Sequence, residues 1–184
     1  MKVFINPGHD KKYDSGAINP TTGLRECDVA AQIGEAVKEY LITSGCTVQL
    51  MQSDNLANDS VYRDRPVAVC DQANAWPADV FVSIHCNAFN GLARGTEVEC
   101  YALESKGGRL ARAIQSQIVN SVHTIDRGVK AMPELIVLKH TQMPAVLVET
   151  AFIDNDDDAA LLTEKWDDFA RAIARGITDY WQSM

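Results

Sequence analysis

Two histidines and one glutamate in this chain each directly follow a short, mainly apolar run that is rich in Val, Ile and Phe. These residues are His9, His85 and Glu149. Such runs are typical of buried strands in an open α/β sheet, and ligands of these sheets bind at the carboxyl ends of the strands. Because imidazole and carboxylate groups are common zinc ligands, the three strand ends predict a candidate metal site.

Two glutamates are candidates for different roles at this site. A hydrolytic zinc ion needs about three protein ligands, together with a separate carboxylate that moves protons. Glu26 is the better candidate for the third ligand, because a parallel sheet returns the start of the first predicted helix over the strand ends. Glu149 is the better candidate for the base, because it leaves an apolar strand. Desolvation there raises the pKa of a carboxyl group, while a nearby dication opposes the shift.

Each of these residues also has a purely structural interpretation. A single histidine after a strand is more often hydrogen-bonded within the protein than bound to a metal. Glu149 could be an exposed residue beyond a core strand, and Glu26 could be a favourable charge in the first turn of a helix. The other histidines, His123 and His140, have no supporting pattern, although His140 lies near the last strand and could face the cleft. The pattern alone therefore indicates an α/β hydrolase in which a zinc ion is one open alternative.

Strand and helix patterns alternate along the chain and have to place these residues on one rim. Strands are predicted at residues 3–8, 46–51, 79–86, 95–101, 135–138 and 145–149. Helices are predicted over 29–41, 61–75 with a break near Pro66, 110–122, from 156 onward and over 166–181. The strand at 95–101 is more polar and is expected near an edge, and 127–133 is expected to be a loop. The alternation predicts a single α/β domain over 1–184, with a mostly parallel twisted sheet of about six strands and helices on both faces.

Length and charge exclude several classes of protein. The 184 residues suffice for one domain with a sizeable core. The net charge of -8 argues against nucleic acid as a partner, which needs a basic surface. No apolar stretch of about 18 residues occurs, so no membrane span is predicted. None of the five cysteines forms a C-x-x-C pair, which argues against a structural zinc knot and favours reduced, mostly buried thiols.

The first residues do not have the length or the cleavage site of a signal peptide. We therefore expect a protein that is made in the cytoplasm without a signal peptide, unless another device exports it or the chain was trimmed to begin at the domain.

Several short motifs follow one another in a characteristic order. They are Asn6-Pro7-Gly8-His9, Asp14-Ser15-Gly16-Ala17, Gly23-Leu24-Arg25-Glu26, Ser83-Ile84-His85-Cys86-Asn87-Ala88, Gly95-Thr96-Glu97-Val98-Glu99, Asp126-Arg127-Gly128-Val129-Lys130 and Pro144–Ile153 with Asn155 and Asp158. In this order, and over nearly the whole chain, they resemble the zinc-dependent N-acetylmuramoyl-L-alanine amidases of the amidase type 3 family. The chain departs from that pattern at 10–13, which is not glycine-rich, and at Ser15, where proline is common. Both departures concern a rim loop and bear on substrate preference more than on activity.

The resemblance implies one zinc ion and hydrolysis of the amide between the lactyl group of N-acetylmuramic acid and the L-alanine of the peptide stem. Carried over motif by motif, it makes His9, Glu26 and His85 the zinc ligands and Glu149 the catalytic carboxylate. No covalent intermediate is then needed, so Cys86 is not required as a nucleophile.

Residues around this centre are assigned less directly. A ligating histidine usually donates its second N–H to a carboxylate or a carbonyl, and Asp14 and Asn87 are near enough in sequence to the two histidines to serve. Arg127 and Lys130 could contact carboxylates of the peptide stem or could belong to a solvated loop.

The resemblance also implies peptidoglycan as the partner and an action on the cell wall or periplasm after release or delivery. A phage-type lysin and a delivered antibacterial toxin are both compatible with it. A toxin would require an inhibitor or immunity protein in the producing cell, and that protein would plug the cleft over the zinc ion.

Two other functions remain as alternatives. One is a different zinc peptidase, such as a carboxypeptidase acting on small wall peptides, for which Arg63, Arg65 or Arg127 could bind the terminal carboxylate. The other is a non-catalytic wall-binding domain, against which the intact set of two histidines and two glutamates argues.

Overall fold

Six strands and six helices make up the part of the chain that the computed structural model describes, namely residues 1–61, 64 and 67–184. The strands are β1 (Lys2–Pro7), β2 (Thr47–Leu50), β3 (Val80–Asn87), β4 (Thr96–Cys100), β5 (Asp126–Ala131) and β6 (Ala145–Phe152). The helices are α1 (Glu26–Thr43), α2 (Val69–Ala75), α3 (Lys106–Val122), α4 (Ile136–His140), α5 (Asp156–Glu164) and α6 (Trp166–Gln182). All six strands belong to one sheet, so the predicted α/β class is confirmed.

The sheet has the order β2-β1-β3-β6-β4-β5 and is mostly parallel, as predicted. The first four of these strands are mutually parallel, whereas β4 runs antiparallel to β6, and β5 follows the direction of β4. The connection 88–95 between β3 and β4 explains the reversal. A connection to a parallel strand needs a crossover of about a dozen residues or more, and this segment is shorter.

One prediction about the last strands is wrong, and another is confirmed. The segment 127–133 is not a loop, because Asp126–Ala131 forms β5. The polar strand at 95–101 lies near an edge as expected, since β4 is the second strand from the edge, between β6 and the edge strand β5. An edge strand keeps much of its surface in water, so its polar composition resembles that of a loop.

Two further predictions concern short helices. The apolar run 135–138 was expected to be a strand, but residues 136–140 form the helix α4. Four apolar residues do not distinguish a strand from a buried helix turn, and here Val137 and Leu138 are buried in an apolar cluster with Phe81. Among the described residues of the expected helix over 61–75, Val69–Ala75 is helical, and the expected break at Pro66 lies outside the described residues.

The two faces of the sheet are covered unequally. Val82 and Val148 belong to the larger apolar cluster, which includes the buried faces of α1, α3 and α6. Phe81 and Leu147 point to the other face and share a smaller cluster with residues of α2 and α4. Because side chains alternate along a strand, His85 and Glu149 also belong to this second face. They lie nearer the carboxyl ends of their strands than the apolar cluster does, so this end of the face carries polar groups.

Two other predictions about the chain as a whole can be compared with the structure. All five cysteines are free, and four of them are buried, as expected for thiols in a core. Within the described helices, none combines the length and the hydropathy that crossing a bilayer requires.

Candidate metal centre

His9 stands directly beyond the end of β1, with one imidazole nitrogen toward each of two carboxylates. Its Nδ1 lies 2.8 Å from Asp14 Oδ2 and its Nε2 lies 3.0 Å from Glu26 Oε1. The contact with Asp14 agrees with the partner expected from the sequence. The backbone of His9 has a φ of 64°, a conformation that few residues other than glycine adopt and that is common at functional sites.

Glu26 is the first residue of α1, and its buried carboxylate connects the two histidines. Its Oε1 lies 2.9 Å from His85 Nδ1 and also accepts a hydrogen bond from the Cys86 backbone N–H. Its Oε2 accepts a hydrogen bond from the backbone N–H of Ala17. Burial raises the pKa of Glu26, but hydrogen bonds from His85 and His9 outweigh it and hold the pKa well below its ordinary value. Glu26 is therefore an ionised carboxylate inside the protein.

His9, Glu26 and His85 fit a zinc ion in both chemistry and spacing. Their candidate ligand atoms, two imidazole nitrogens and one carboxylate oxygen, all lie within 4.8 Å of one another. Ligand atoms around a tetrahedral zinc ion lie roughly 3–3.5 Å apart, given bonds of about 2.0–2.2 Å. Burial lowers the pKa of His9, but the carboxylates of Glu26 and Asp14 outweigh it and raise the pKa to about 9. The pocket thus favours positive charge.

Two glycines leave the space that the imidazole rings occupy. A Cβ atom at Gly8 would lie 2.3 Å from His85 Cε1. A Cβ atom at Gly16, whose φ is +65°, would lie 2.5 Å from His9 Cδ2 and 2.6 Å from Glu26 Oε2. All three distances are shorter than any van der Waals contact, so only glycine allows the backbone to approach these side chains this closely.

Glu149 lies beside the histidine cluster, in register with His85 on β3 and with Glu97 on β4. The sequence predicts that the strand ends at Glu149, but β6 continues to Phe152. Glu149 Oε2 is buried and has no hydrogen-bond partner among the residues described. Burial, followed by the charges of neighbouring carboxylates, raises the pKa of Glu149 well above its ordinary value. A half-buried carboxyl group, one oxygen of which is buried, therefore adjoins the candidate ligands.

Two further carboxylates, to which the sequence motifs gave no role at the site, lie on the same face of the sheet as Glu149. Glu97 and Glu99 alternate with buried Val98 along β4, and this period of two was the signal that could have revealed them. Glu97 Oε2 accepts hydrogen bonds from Arg127 Nε at 2.7 Å and from Lys130 Nζ at 2.5 Å. Burial raises the pKa of Glu97, but these two cations outweigh it and lower the pKa.

Glu99 differs from Glu97 because no cation neutralises it to the same extent. Burial and the charge of Glu97 raise the pKa of Glu99 to about 7. The folded protein therefore binds this proton more tightly than the unfolded chain, so Glu99 destabilises the fold increasingly as the pH rises from about 4.5 to 7.

Glu99→Gln should consequently stabilise the protein at alkaline pH. We expect the free energy of unfolding in urea to increase by about 1–2 kcal/mol at pH 8 and to change much less at pH 5, after allowance for solvent screening. The exposed Glu104 provides a matched control, and Glu104→Gln should show no such pH dependence. An equal gain for Glu99→Gln at both pH values would contradict the assignment.

Several other residues singled out in the sequence are not among the candidate ligands. Asn87 was a candidate hydrogen-bond partner for His85, but its amide donates to Glu97 Oε1 instead. His140 is exposed at the end of α4, and His123 forms the carboxyl-terminal cap of α3. Cys86 is buried, and burial raises the pKa of its thiol well above the ordinary value, so it remains protonated.

Arg63 and Arg65, which were candidates for a carboxylate pocket, lie outside the described residues.

Comparison with known proteins agrees with this geometry. The family model for N-acetylmuramoyl-L-alanine amidase matches residues 3–179. The N-acetylmuramoyl-L-alanine amidase LytC of Bacillus subtilis is 38% identical over 98% of this chain and 35% of its own length. The endolysin of Bacillus phage SPP1 is 36% identical over 95% of this chain and 62% of its own length. The chain thus spans less than two thirds of either relative.

A solved structure shares the fold over nearly its whole length. The N-acetylmuramoyl-L-alanine amidase AmiC2 of Nostoc punctiforme superimposes with a TM-score of 0.85 and 32% identity, covering 99% of this chain and 97% of that one. Since both the family model and this fold extend over almost every residue, the chain belongs to the N-acetylmuramoyl-L-alanine amidase family.

Proposed function

We propose that this domain hydrolyses the amide bond between N-acetylmuramic acid and the L-alanine of peptidoglycan. In this proposal His9, Glu26 and His85 hold one zinc ion, and Glu149 is the catalytic carboxylate. The observation that carries the proposal is the convergence of the three candidate ligands within 4.8 Å beside a carboxyl group whose Oε2 is buried and unpaired among the described residues. The amidase relatives support the choice of substrate.

Different residues of the chain have different roles in this reaction. When bound, zinc supplies polarisation of the amide carbonyl and lowers the pKa of a water molecule toward about 7. Glu149 Oε2 takes the proton from the attacking water and returns it to the departing alanine nitrogen, for which a carboxyl group with a raised pKa is suited. Asp14 orients the His9 ring through Nδ1, and this leaves Nε2 for the metal ion.

The proposed activity makes the protein a cell-wall lytic and antibacterial enzyme that acts on the wall or in the periplasm. Its similarity to an endolysin supports a phage-type lysin. The other setting is a delivered toxin, whose immunity protein would cover the face of the sheet that carries His85 and Glu149. A family neighbour, the CwlD amidase from Clostridioides difficile, was solved in complex with the GerS lipoprotein.

Digestion of purified sacculi, with and without a chelator, tests the proposal. We expect new L-alanine amino termini and intact glycan chains, loss of this release with chelator, and its recovery when zinc is added. Release of single amino acids from peptide carboxyl termini, without new L-alanine amino termini, would show a carboxypeptidase instead. Binding to sacculi without any release would show a non-catalytic wall-binding domain.

A further inference from the structure

On the face of the sheet that carries His85 and Glu149, charged side chains continue beyond Glu149 to the edge of the sheet. Glu149 is in register with Glu97 on β4, and Glu97 binds both Arg127 and Lys130 of β5. Neighbouring strands lie about 4.8 Å apart, so the backbone of β5 is about 10 Å from that of β6. The amidase reaction proposed above does not use these two cations.

Arg127 is held in a fixed position, but one end of its guanidinium group makes no hydrogen bond within the described part of the chain. Its Nε donates to Glu97 Oε2 at 2.7 Å and its Nη1 donates to the Arg94 carbonyl at 3.4 Å. Its guanidinium carbon lies 4.8 Å from the centre of the Phe152 ring, on the same strand as Glu149. Across the residues described, Nη2 makes no hydrogen bond. The side chain is 35% exposed, so this donor is accessible to a ligand.

Lys130 provides a second cation that shares the same anchor. Its Nζ donates to Glu97 Oε2, and within the described residues two of its three donors are left for other partners. Three carboxyl groups lie near the pair, namely Glu97, Glu99 and Glu134. Among the described carboxylates only Glu97 contacts the two cations directly, so one carboxylate is shared by two positive charges.

We propose that Arg127 and Lys130 bind a carboxylate of the peptide stem, carried by the residue that follows the L-alanine, and thereby select stems in which this group is not amidated. The proposal rests on the amidase function proposed above. An extended peptide advances about 3.3–3.6 Å per residue, so this carboxylate lies about 7 Å from the scissile amide. That distance fits a site two strands away whose long side chains extend back toward β6. Arginine suits the task because its planar donors match a carboxylate.

Glu97 is a positioning residue in this scheme. It contacts no substrate, but it fixes both cations through one oxygen, while Asn87 holds its other oxygen at 3.0 Å. The substrate would then cross the strands, with the scissile amide at Glu149 and the stem directed toward β5.

Two synthetic N-acetylmuramoyl dipeptides test the proposal. Both begin with L-alanine, and they differ only in whether the free carboxyl group of the second residue is a carboxylate or a carboxamide. We expect the wild-type protein to prefer the carboxylate by about tenfold or more in kcat/KM. In Arg127→Met this ratio should fall to about twofold or less, mainly through a higher KM for the carboxylate substrate, and hydrolysis of the carboxamide should fall much less.

Matched variants separate this role from a structural one. Arg127→Lys keeps the charge and should retain part of the preference, and Lys130→Met should reduce it. These two variants decide the matter if Arg127→Met does not fold. Arg175 is exposed on α6, which covers the other face of the sheet, so Arg175→Met should leave the ratio unchanged.

Two outcomes would overturn the carboxylate site: a wild-type ratio near one, or an equal loss on both substrates in folded Arg127→Met. Failure of the wild-type protein to hydrolyse either compound would overturn the amidase function instead. In that case calorimetric titration with the two dipeptides without the N-acetylmuramoyl group still decides the site. Tighter binding of the dipeptide that carries the carboxylate supports the site, and equal binding of both dipeptides refutes it.

Discussion

Glu149→Gln is expected to lower kcat for hydrolysis of the muramoyl amide by about 100- to 10,000-fold while zinc remains bound. Glutamine has nearly the shape of glutamate but cannot take a proton from water or return one to the alanine nitrogen. The three candidate ligands are untouched by this change. Because Glu149 Oε2 is buried and the pKa of this carboxyl group is raised, a neutral amide should also be tolerated by the fold. Release of L-alanine amino termini and the zinc content of the same sample provide the two measurements.

Glu39→Gln provides the control for this experiment. Glu39 is exposed on α1, which packs on the other face of the sheet, so the same chemical change there should leave kcat unaltered. Full activity in folded Glu149→Gln would refute the catalytic role. Loss of zinc in that variant would instead make Glu149 part of the metal site.

His85→Ala should act on the metal itself. Removal of one of three protein ligands is expected to weaken zinc binding by more than the roughly 10- to 100-fold that loss of a partner around a ligand costs. The change also deprives the buried Glu26 Oε1 of a contact at 2.9 Å, although the Cys86 N–H and His9 still reach this oxygen. Elemental analysis after dialysis against a zinc buffer measures the occupancy, and circular dichroism reports whether the fold is kept.

The exposed His140 is the appropriate control, because His140→Ala removes an imidazole at the end of α4. That variant should keep its zinc. A folded His85→Ala protein with undiminished zinc occupancy would exclude His85 as a ligand, and the three-residue site with it.

The sequence predicted the candidate centre better than it predicted the sheet. His9 and His85 lie at the ends of strongly apolar strand patterns, and Glu26 lies at the start of the first predicted helix. The rule that ligands collect at the carboxyl ends of parallel strands was enough to bring the three together. The desolvation of Glu149 was also predictable, because the apolar run before it indicated a buried strand.

Pairing between distant segments explains what the sequence did not reveal. The insertion of β6 between β3 and β4 depends on contacts between distant segments, and no local sequence pattern indicates it. The strand β5 contains Asp126, Arg127, Gly128 and Lys130, and it becomes a strand only through pairing with β4. The predicted total of about six strands was correct because this missed strand replaced the wrongly predicted one at 135–138. The direction of β4, in contrast, could have been derived from the short connection 88–95.

The position of β5 at the margin of the sheet also has a consequence for protein engineering. Its residues are exposed or half-exposed. Val129 packs against the apolar cluster that includes α3, and Asp126 accepts a hydrogen bond from Gln115 of that helix, whereas Arg127 and Lys130 contact Glu97. Residues 127 and 130 could therefore be exchanged to retarget the proposed activity toward bacteria with different wall chemistry, while Glu149 and His85, two and three strands away, keep their positions.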